Sequence, residues 1–443
     1  MRVGIGMKLA VVAGLVVLLM IPLTMLRWLV AERQQRAWEV REQIAHSTSR
    51  AQSVSGPLLV LETQVERDDV RTIAEDGVVR EVSQRRRELQ SRLVLPATLE
   101  IGADLDTEVR GRSLFSALLI HSSLTVAAGF RLPALPDGEV PVRAWLVMGL
   151  GDSRGLRELT LSADGQALAA EPGTGIAWLG QGVRFALPLK RLAHGTLSVH
   201  GELALSGTEA LQFLPVGGET RVQARGAWPH PGFVGASLPQ APRVDAAGFA
   251  AQWHVNRLAS GAQQAVLECG VASEQCPGAG EAAFGVRLVD PVDRYLMTER
   301  AIKYALVILV LVFGTVFFIE VVQRHALHPL QYGLVGLALA MFFLLLLSLS
   351  EHIGFGPAYG LAALACIALI VAYLAGVLDS RRHGALACAA LATLYGLLYG
   401  LLQSEDYALL MGSLALFAGL AALMLATRRL DWTRLGNNGD GGS

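Results

Sequence analysis

The sequence predicts an α-helical polytopic membrane protein of about six spans, with a large periplasmic all-β, sandwich-like domain between spans 1 and 2. Three observations lead there. Apolar runs of near-spanning length sit at the N-terminus and again over residues 302–426. Alternating apolar and polar residues, punctuated by Gly and Pro, fill the interval between them. Arginines collect on one side of the C-terminal helical region.

Composition agrees. Of 443 residues, 52% are hydrophobic and only 17% charged, where a soluble domain is about a quarter charged. Mean hydropathy is +0.43. With a net charge of −1 and no run of basic residues that forms a nucleic-acid footprint, no nucleic-acid partner is expected. No phosphate loop, dinucleotide fingerprint or zinc motif occurs, so no cofactor and no metal is expected.

The element boundaries follow in order. Residues 1–8 form a cytoplasmic N-terminus and 9–28 a transmembrane anchor, too long for a signal-peptide core and lacking a small-residue cleavage site. Trp28 marks its interface. Over 29–50, Val30, Ala37, Val40 and Ile44 recur at helical spacing, and Glu32 precedes Arg36 by one turn, so a helical stalk is expected until Gly56-Pro57 stops it. Residues 51–297 are the periplasmic β-rich domain. Spans follow at 302–322, 333–350, 356–378, 384–402 and 407–426, then a cytoplasmic tail at 427–443. Arg324, Arg381, Arg382, Arg428, Arg429 and Arg434 share one side of the bundle, which puts that side and both termini in the cytoplasm of a bacterial inner membrane.

Within the exported part, Leu99, Ile101 and Leu105 share a strand face, as do Leu197, Val199, Leu203 and Leu205, and Val183, Phe185, Leu187 and Leu189. Asp164-Gly165 signals a tight hairpin turn. TLEIGADL at Thr98 and TLSVHGEL at Thr196 look alike, which leaves one sandwich or a duplicated pair open.

Few residues suggest chemistry. Gly151-Asp152-Ser153-Arg154-Gly155 fits G-x-S-x-G, but a strand follows where a nucleophile elbow requires a helix, so a strand-connecting turn is expected. The exported histidines His121, His194, His200, His230 and His254 lack metal-ligand spacing. Glu320, His328, Glu351 and His352 are the polar residues at the membrane with a possible function. Glu320 is expected to snorkel or pair with Arg324, and His328 to mark a helix break. Cys269 and Cys276, separated by six residues in an oxidising compartment, are expected to pair, whereas Cys366 and Cys388 lie within spans.

Several separated segments resemble one family. HPLQYGLVGLALAMFFLLLLSLSEHIGF, RAIKYALVILVLVFGTVFFIEVV and AYGLAALACIALIVAYL resemble the helical bundle of the CreD family of inner-membrane proteins. DSRGL, LQFLPVGGETRVQARGAWPHPGFVGASLP and GFAAQWHVNRL resemble its exported domain. The likeness runs from about Arg112 to Leu378; residues 64–93 and the tail GNNGDGGS lie outside it, and Gly232 departs from the family's WPHPSF. The resemblance implies a role in cell-envelope integrity or stress response, with no catalytic residue assigned. The expected function is therefore non-catalytic, exerted by the periplasmic domain on an unknown envelope protein or cell-wall component, with the lipid bilayer as the other partner. The alternative is a small-molecule or lipid transporter using the C-terminal helices.

Overall fold

The computed structural model describes residues 5–75, 78–112, 114–289, 294–323, 328–378, 381–403 and scattered positions from 410 to 424. The chain divides into two compact units, 1–38 with 292–443, and 39–291.

Helix α1 (Ile5–Ser47) opens the chain, and the β-domain follows. Its strands are β1 (Gln52–Glu75), β2 (Val78–Val94), β3 (Thr98–Arg112), β4 (Phe115–Arg131), β5 (Glu139–Leu150), β6 (Leu156–Ala163), β7 (Gln166–Ala167) and β8 (Ala170–Pro172). Then come β9 (Gly182–Ala186), β10 (Thr196–Thr208), β11 (Ala210–Leu214), β12 (Glu219–Gly226), β13 (Pro231–Gly235), β14 (Gln240–Asp245) and β15 (Gly248–Asn256). Short helices α2 (Arg257–Ser260), α3 (Ala262–Cys269) and α4 (Pro277–Glu281) precede β16 (Phe284–Leu288).

The strands form two sheets around one core. The first runs β13-β16-β11-β1-β5-β9-β8, with β2 also on β1, and the second runs β14-β15-β12-β3-β4-β10-β6-β7. Alternation decides which side chains enter: Leu99, Ile101 and Leu105 of β3 and Leu197, Val199, Leu203 and Leu205 of β10 all point into the core. Trp253 of the second sheet is the largest bridge, with Phe284 of the first at 5.7 Å and Phe233 at 5.8 Å between ring centroids. The continuous apolar run Leu58–Leu61 is buried throughout, as suits a central strand covered on both faces. Ala262, Val266, Ala279 and Ala282 of the α3–α4 region join the same core.

Four features read from the sequence are resolved or changed here. The two look-alike strands are not duplicated sandwiches: β3 and β10 flank β4 in one sheet, pairing with it antiparallel from either side. Helix α1 ends at Ser47, before Gly56-Pro57, which lies inside β1 at a register shift against β5. Leu189 leaves the strand pattern and begins a 3₁₀ turn. Gly232, the family departure, stands in a strand opposite Arg287 and not in a turn.

Strand β1 has unusual neighbours. Its start, Gln52–Ser55, pairs in parallel with Leu211–Leu214 of β11, and its middle pairs with β5 as far as Val65↔Glu139. Beyond that, among the described residues, its backbone partners are in β2, out to Glu75↔Val78.

The other unit holds α5 (Arg294–Lys303), α6 (Ala305–Gln323), α7 (Pro329–Ile353), α8 (Phe355–Leu378) and α9 (Arg381–Gln403), besides the first part of α1. Among the described residues, three helices are long and apolar enough to cross a membrane: Ala10–Ser47, Pro329–Ile353 and Phe355–Gly376. A fourth is added if α5 and α6, bent by 45°, count as one span. The expected six spans are thus met in part, as three or four among the described residues. The apolar part of α9, Ala387–Gln403, falls short of spanning length, and the run 407–426 lies largely outside the described residues, as do Arg324 and the tail.

Candidate functional site

The outer face of the second sheet is the most developed surface of the β-domain. Register places Gln252, Gln223, Gly102, Thr125, Glu202 and Thr160 side by side across six strands. At the usual strand spacing that row is about 24 Å wide. The face is concave, enclosing two adjoining hollows of about 690 and 680 Å³ that share Gly102, Thr125, Thr160, Glu202 and Gln223. Gly102 keeps the floor low, since a Cβ there would stand 2.6 Å from the Thr125 hydroxyl.

On one side of this trough the charges neutralise each other. Arg225 holds Asp104 through two hydrogen bonds, one of 2.8 Å, and Arg221 donates to Glu100 at 3.2 Å. The Arg225 guanidinium holds the Asp104 carboxyl below the usual carboxylate range, against a smaller opposing effect of burial. On the other side Glu158 and Glu202 line the trough beside hydroxyls of Ser123, Thr125 and Thr160. The lining mixes polar and apolar surface, and its polar groups offer hydrogen bonding and charge.

The G-x-S-x-G segment is a joint. It carries the chain from β5 in one sheet to β6 in the other through a 3₁₀ turn at Ser153–Gly155. Buried Asp152 accepts from the Arg50 N–H at 3.0 Å and from Arg154 Nη2 at 2.6 Å, while Gln52 and Asp152 exchange amide bonds. Arg154 Nη1 donates to the His46 carbonyl at 2.5 Å, in the last turn of α1, where a cation suits the helix dipole. Ile44 and Val40 of that helix pack on Ala117 and Leu119 of β4. A Cβ on Gly155 would overlap the Ser206 carbonyl and the Gln52 amide, so only glycine fits. The Arg154 hydrogen bond, backed by the N–H groups of Arg50 and Arg154, brings the Asp152 carboxyl down to about 2 against the opposing effect of burial. Ser153 donates to Gln181 Oε1 at 3.2 Å, an amide oxygen that cannot act as a general base.

The four polar residues at the membrane fall at two ends of α7. Glu320, buried, accepts from the Tyr332 hydroxyl at 2.7 Å; Arg324, its expected partner, lies outside the described residues. His328 caps α7, its Nδ1 accepting from the Leu330 N–H while Gln331 accepts from the His328 N–H. At the other end, Glu351 accepts from the Tyr295 hydroxyl at 3.2 Å and lies 3.9 Å from Arg33 Nε. Arg294 donates to the Glu351 carbonyl at 2.9 Å, and exposed His352 contacts the Ser348 carbonyl at 3.0 Å. Tyr332 and Glu351 are nineteen residues apart on one helix, about 28 Å. Sequence reading missed their tyrosine partners, because an aromatic in an apolar run carries no sign of where its hydroxyl points. It also missed the contact of Tyr395 Oη with Cys366 Sγ at 3.2 Å, deep in the bundle.

Cys269 and Cys276 are joined, with Cα atoms 5.8 Å apart, linking α3 to the start of α4. Of the histidines in the β-domain, His121 contacts Ser206 and Glu108, and His254 contacts Glu219. Among the described residues no group of three His, Cys, Asp or Glu could hold a metal ion.

Crystal structures of an M1 zinc metallopeptidase from Deinococcus radiodurans share 12% identity in one case, over 36% of this chain and 39% of theirs, with a TM-score of 0.22. Another gives 10% over 37% and 39%, with a TM-score of 0.19. The chain thus spans well under two thirds of that peptidase, and a likeness so slight supports no argument. The sequence comparison is different in kind. "Inner membrane protein CreD" of Escherichia coli (strain K12) is 34% identical over 431 residues, covering 96% of this chain and 93% of that protein. The profile of the family described as inner membrane protein CreD matches residues 4–433, well beyond the stretch from Arg112 to Leu378 in which the sequence resemblance was visible. The chain belongs to the CreD family of inner membrane proteins.

Proposed function

We propose that this protein serves cell-envelope integrity without catalysis, by contacts that its β-domain makes in the periplasm. The carrying observation is the concave trough on the second sheet, a wide surface on which hydroxyls, amides and carboxylates stand among apolar side chains, suited to holding a partner with polar groups. A photo-crosslinking amino acid at Gln223 or Thr125 in intact cells is expected to capture an envelope protein or cell-wall component. The same group at exposed Asp137, away from the trough, is the control. Equal or absent capture at all three positions would reject the reading.

The orientation belongs to the same proposal. Both termini are cytoplasmic and residues 51–297 periplasmic, in keeping with the arginine distribution. Reporter fusions after Arg382 and Arg434 should report cytoplasm and one at Gly165 export; a periplasmic signal at Arg434 would overturn it.

Transport through the helices is the second reading, favoured by buried Glu320 with its tyrosine. Against it, the polar groups lie near the two ends of α7, and Phe342, Phe343, Tyr359 and Tyr395 pack the space between. Full function in Glu320→Gln would remove it.

A further inference from the structure

We propose that Glu351 is a latch holding a bend between α5 and α6, and that its release straightens the helix pair through which the chain leaves the β-domain. The two helices meet at 45°, with only Tyr304 between them. Sharp kinks normally come from Pro, Gly or an inserted group. The sequence around this one, Glu299-Arg300-Ala301-Ile302-Lys303-Tyr304-Ala305-Leu306-Val307, has neither Pro nor Gly and suits a continuous helix. The bend therefore requires a hold from outside the segment.

That hold is visible at the first turn of α5. Arg294 Nη1 donates to the Glu351 carbonyl at 2.9 Å and reaches the Ser350 carbonyl at 3.5 Å, where the last turn of α7 leaves carbonyls open. The Tyr295 hydroxyl donates to the Glu351 carboxylate, and Arg33 of α1 approaches the same carboxylate. Tyr295, Thr298, Ala301 and Ile302 turn one face of α5 inward.

The placement gives the latch a purpose. Arg33 lies six residues before the β-domain unit and Arg294 three residues after it. Both peptide connections of the β-domain are thus fastened to one carboxylate. Strain arriving along either connection acts first on Glu351, and the two arrangements of α5 are the discrete states a switch needs. This inference holds whatever occupies the trough.

The test uses the full-length protein in lipid nanodiscs, with spin labels on ketone-bearing residues at Leu296 and Ile353 so that the cysteines stay intact. Both positions are exposed. Swinging a helix of about nine residues through 45° moves its far end by roughly 10 Å. Wild type is expected to give one short distance, and Glu351→Gln to add a population longer by about that amount. Tyr295→Phe removes only a hydroxyl and should give the same population at a lower fraction. It also serves if Glu351→Gln cannot be reconstituted. A wild-type distribution in these variants would overturn the latch.

Discussion

The β-domain and the helical bundle handle buried polar groups in opposite ways. In the β-domain they gather where the chain changes sheets: Asp152, Gln52 and Ser49 satisfy one another and the backbone at the β5–β6 joint, next to the end of α1. In the bundle the two carboxylates lie near the two ends of α7, Glu320 with Tyr332 and Glu351 with Tyr295. The difference reflects the backbone. A strand that crosses between sheets interrupts its ladder and exposes N–H and C=O groups that side chains must pair. A helix satisfies its own backbone except at its termini, so backbone groups that need a side-chain partner occur there.

The largest expected effect tests whether the two regions are energetically separate. Trp253→Ala removes the main aromatic bridge between the sheets and should cost roughly 3–5 kcal/mol. Hydrogen exchange of the full-length protein should show the β-domain amides losing protection while α7 and α8 keep theirs. Joint loss would mean one cooperative unit and would break the comparison.

Next is the joint. Asp152→Ala leaves the Arg50 N–H and the Arg154 guanidinium without their acceptor, at a cost of roughly 2–3 kcal/mol. The same carboxylate predicts a pH dependence. Its pKa is depressed in the folded state to about 2 from 3.8, so its contribution is complete above about 4 and lost as pH falls toward 2. Acid titration should show a transition in wild type that is flattened in Asp152→Asn; identical curves would contradict the assignment.

The Cys269–Cys276 link ranks slightly lower. Closing so short a loop stabilises by about 2 kcal/mol in the chain-entropy model. Denatured protein without reductant should show no labelling at either position; two reactive sulfurs there would refute the link. The smallest effect belongs to the exposed pair Glu100–Arg221, where Glu100→Gln should leave the unfolding midpoint within error. A clear drop would mean that the trough's charged side is structural.

Legibility followed the same divide. Apolar runs announced α7 and α8 because a spanning helix needs only length and composition. The shortness of the apolar part of α9 could not be seen that way, nor could the break at Tyr304, which carries no Pro or Gly. In the β-domain, alternation identified the inward faces of β3 and β10, and Asp164-Gly165 makes the expected turn with φ of 47° and 77°. Sheet membership was not legible. Nothing local says that Leu99 and Leu197 belong to strands flanking β4, because pairing partners are fixed by the whole core. The trough was hidden for the same reason: its row of six comes from six strands and leaves no mark in any one of them.

The parallel pairing of Gln52–Ser55 with Leu211–Leu214 has a consequence for biogenesis. Synthesis proceeds from the N-terminus, so β1 is finished long before β11 exists. Until Leu214 has been made, the start of β1 has no neighbour on that side and presents an open edge. Pairings so distant in sequence form slowly, and the waiting chain is prone to wrong associations. The nascent protein therefore passes through a long interval, ending only when Leu211–Leu214 pairs with Gln52–Ser55, in which its central strand is exposed along that edge.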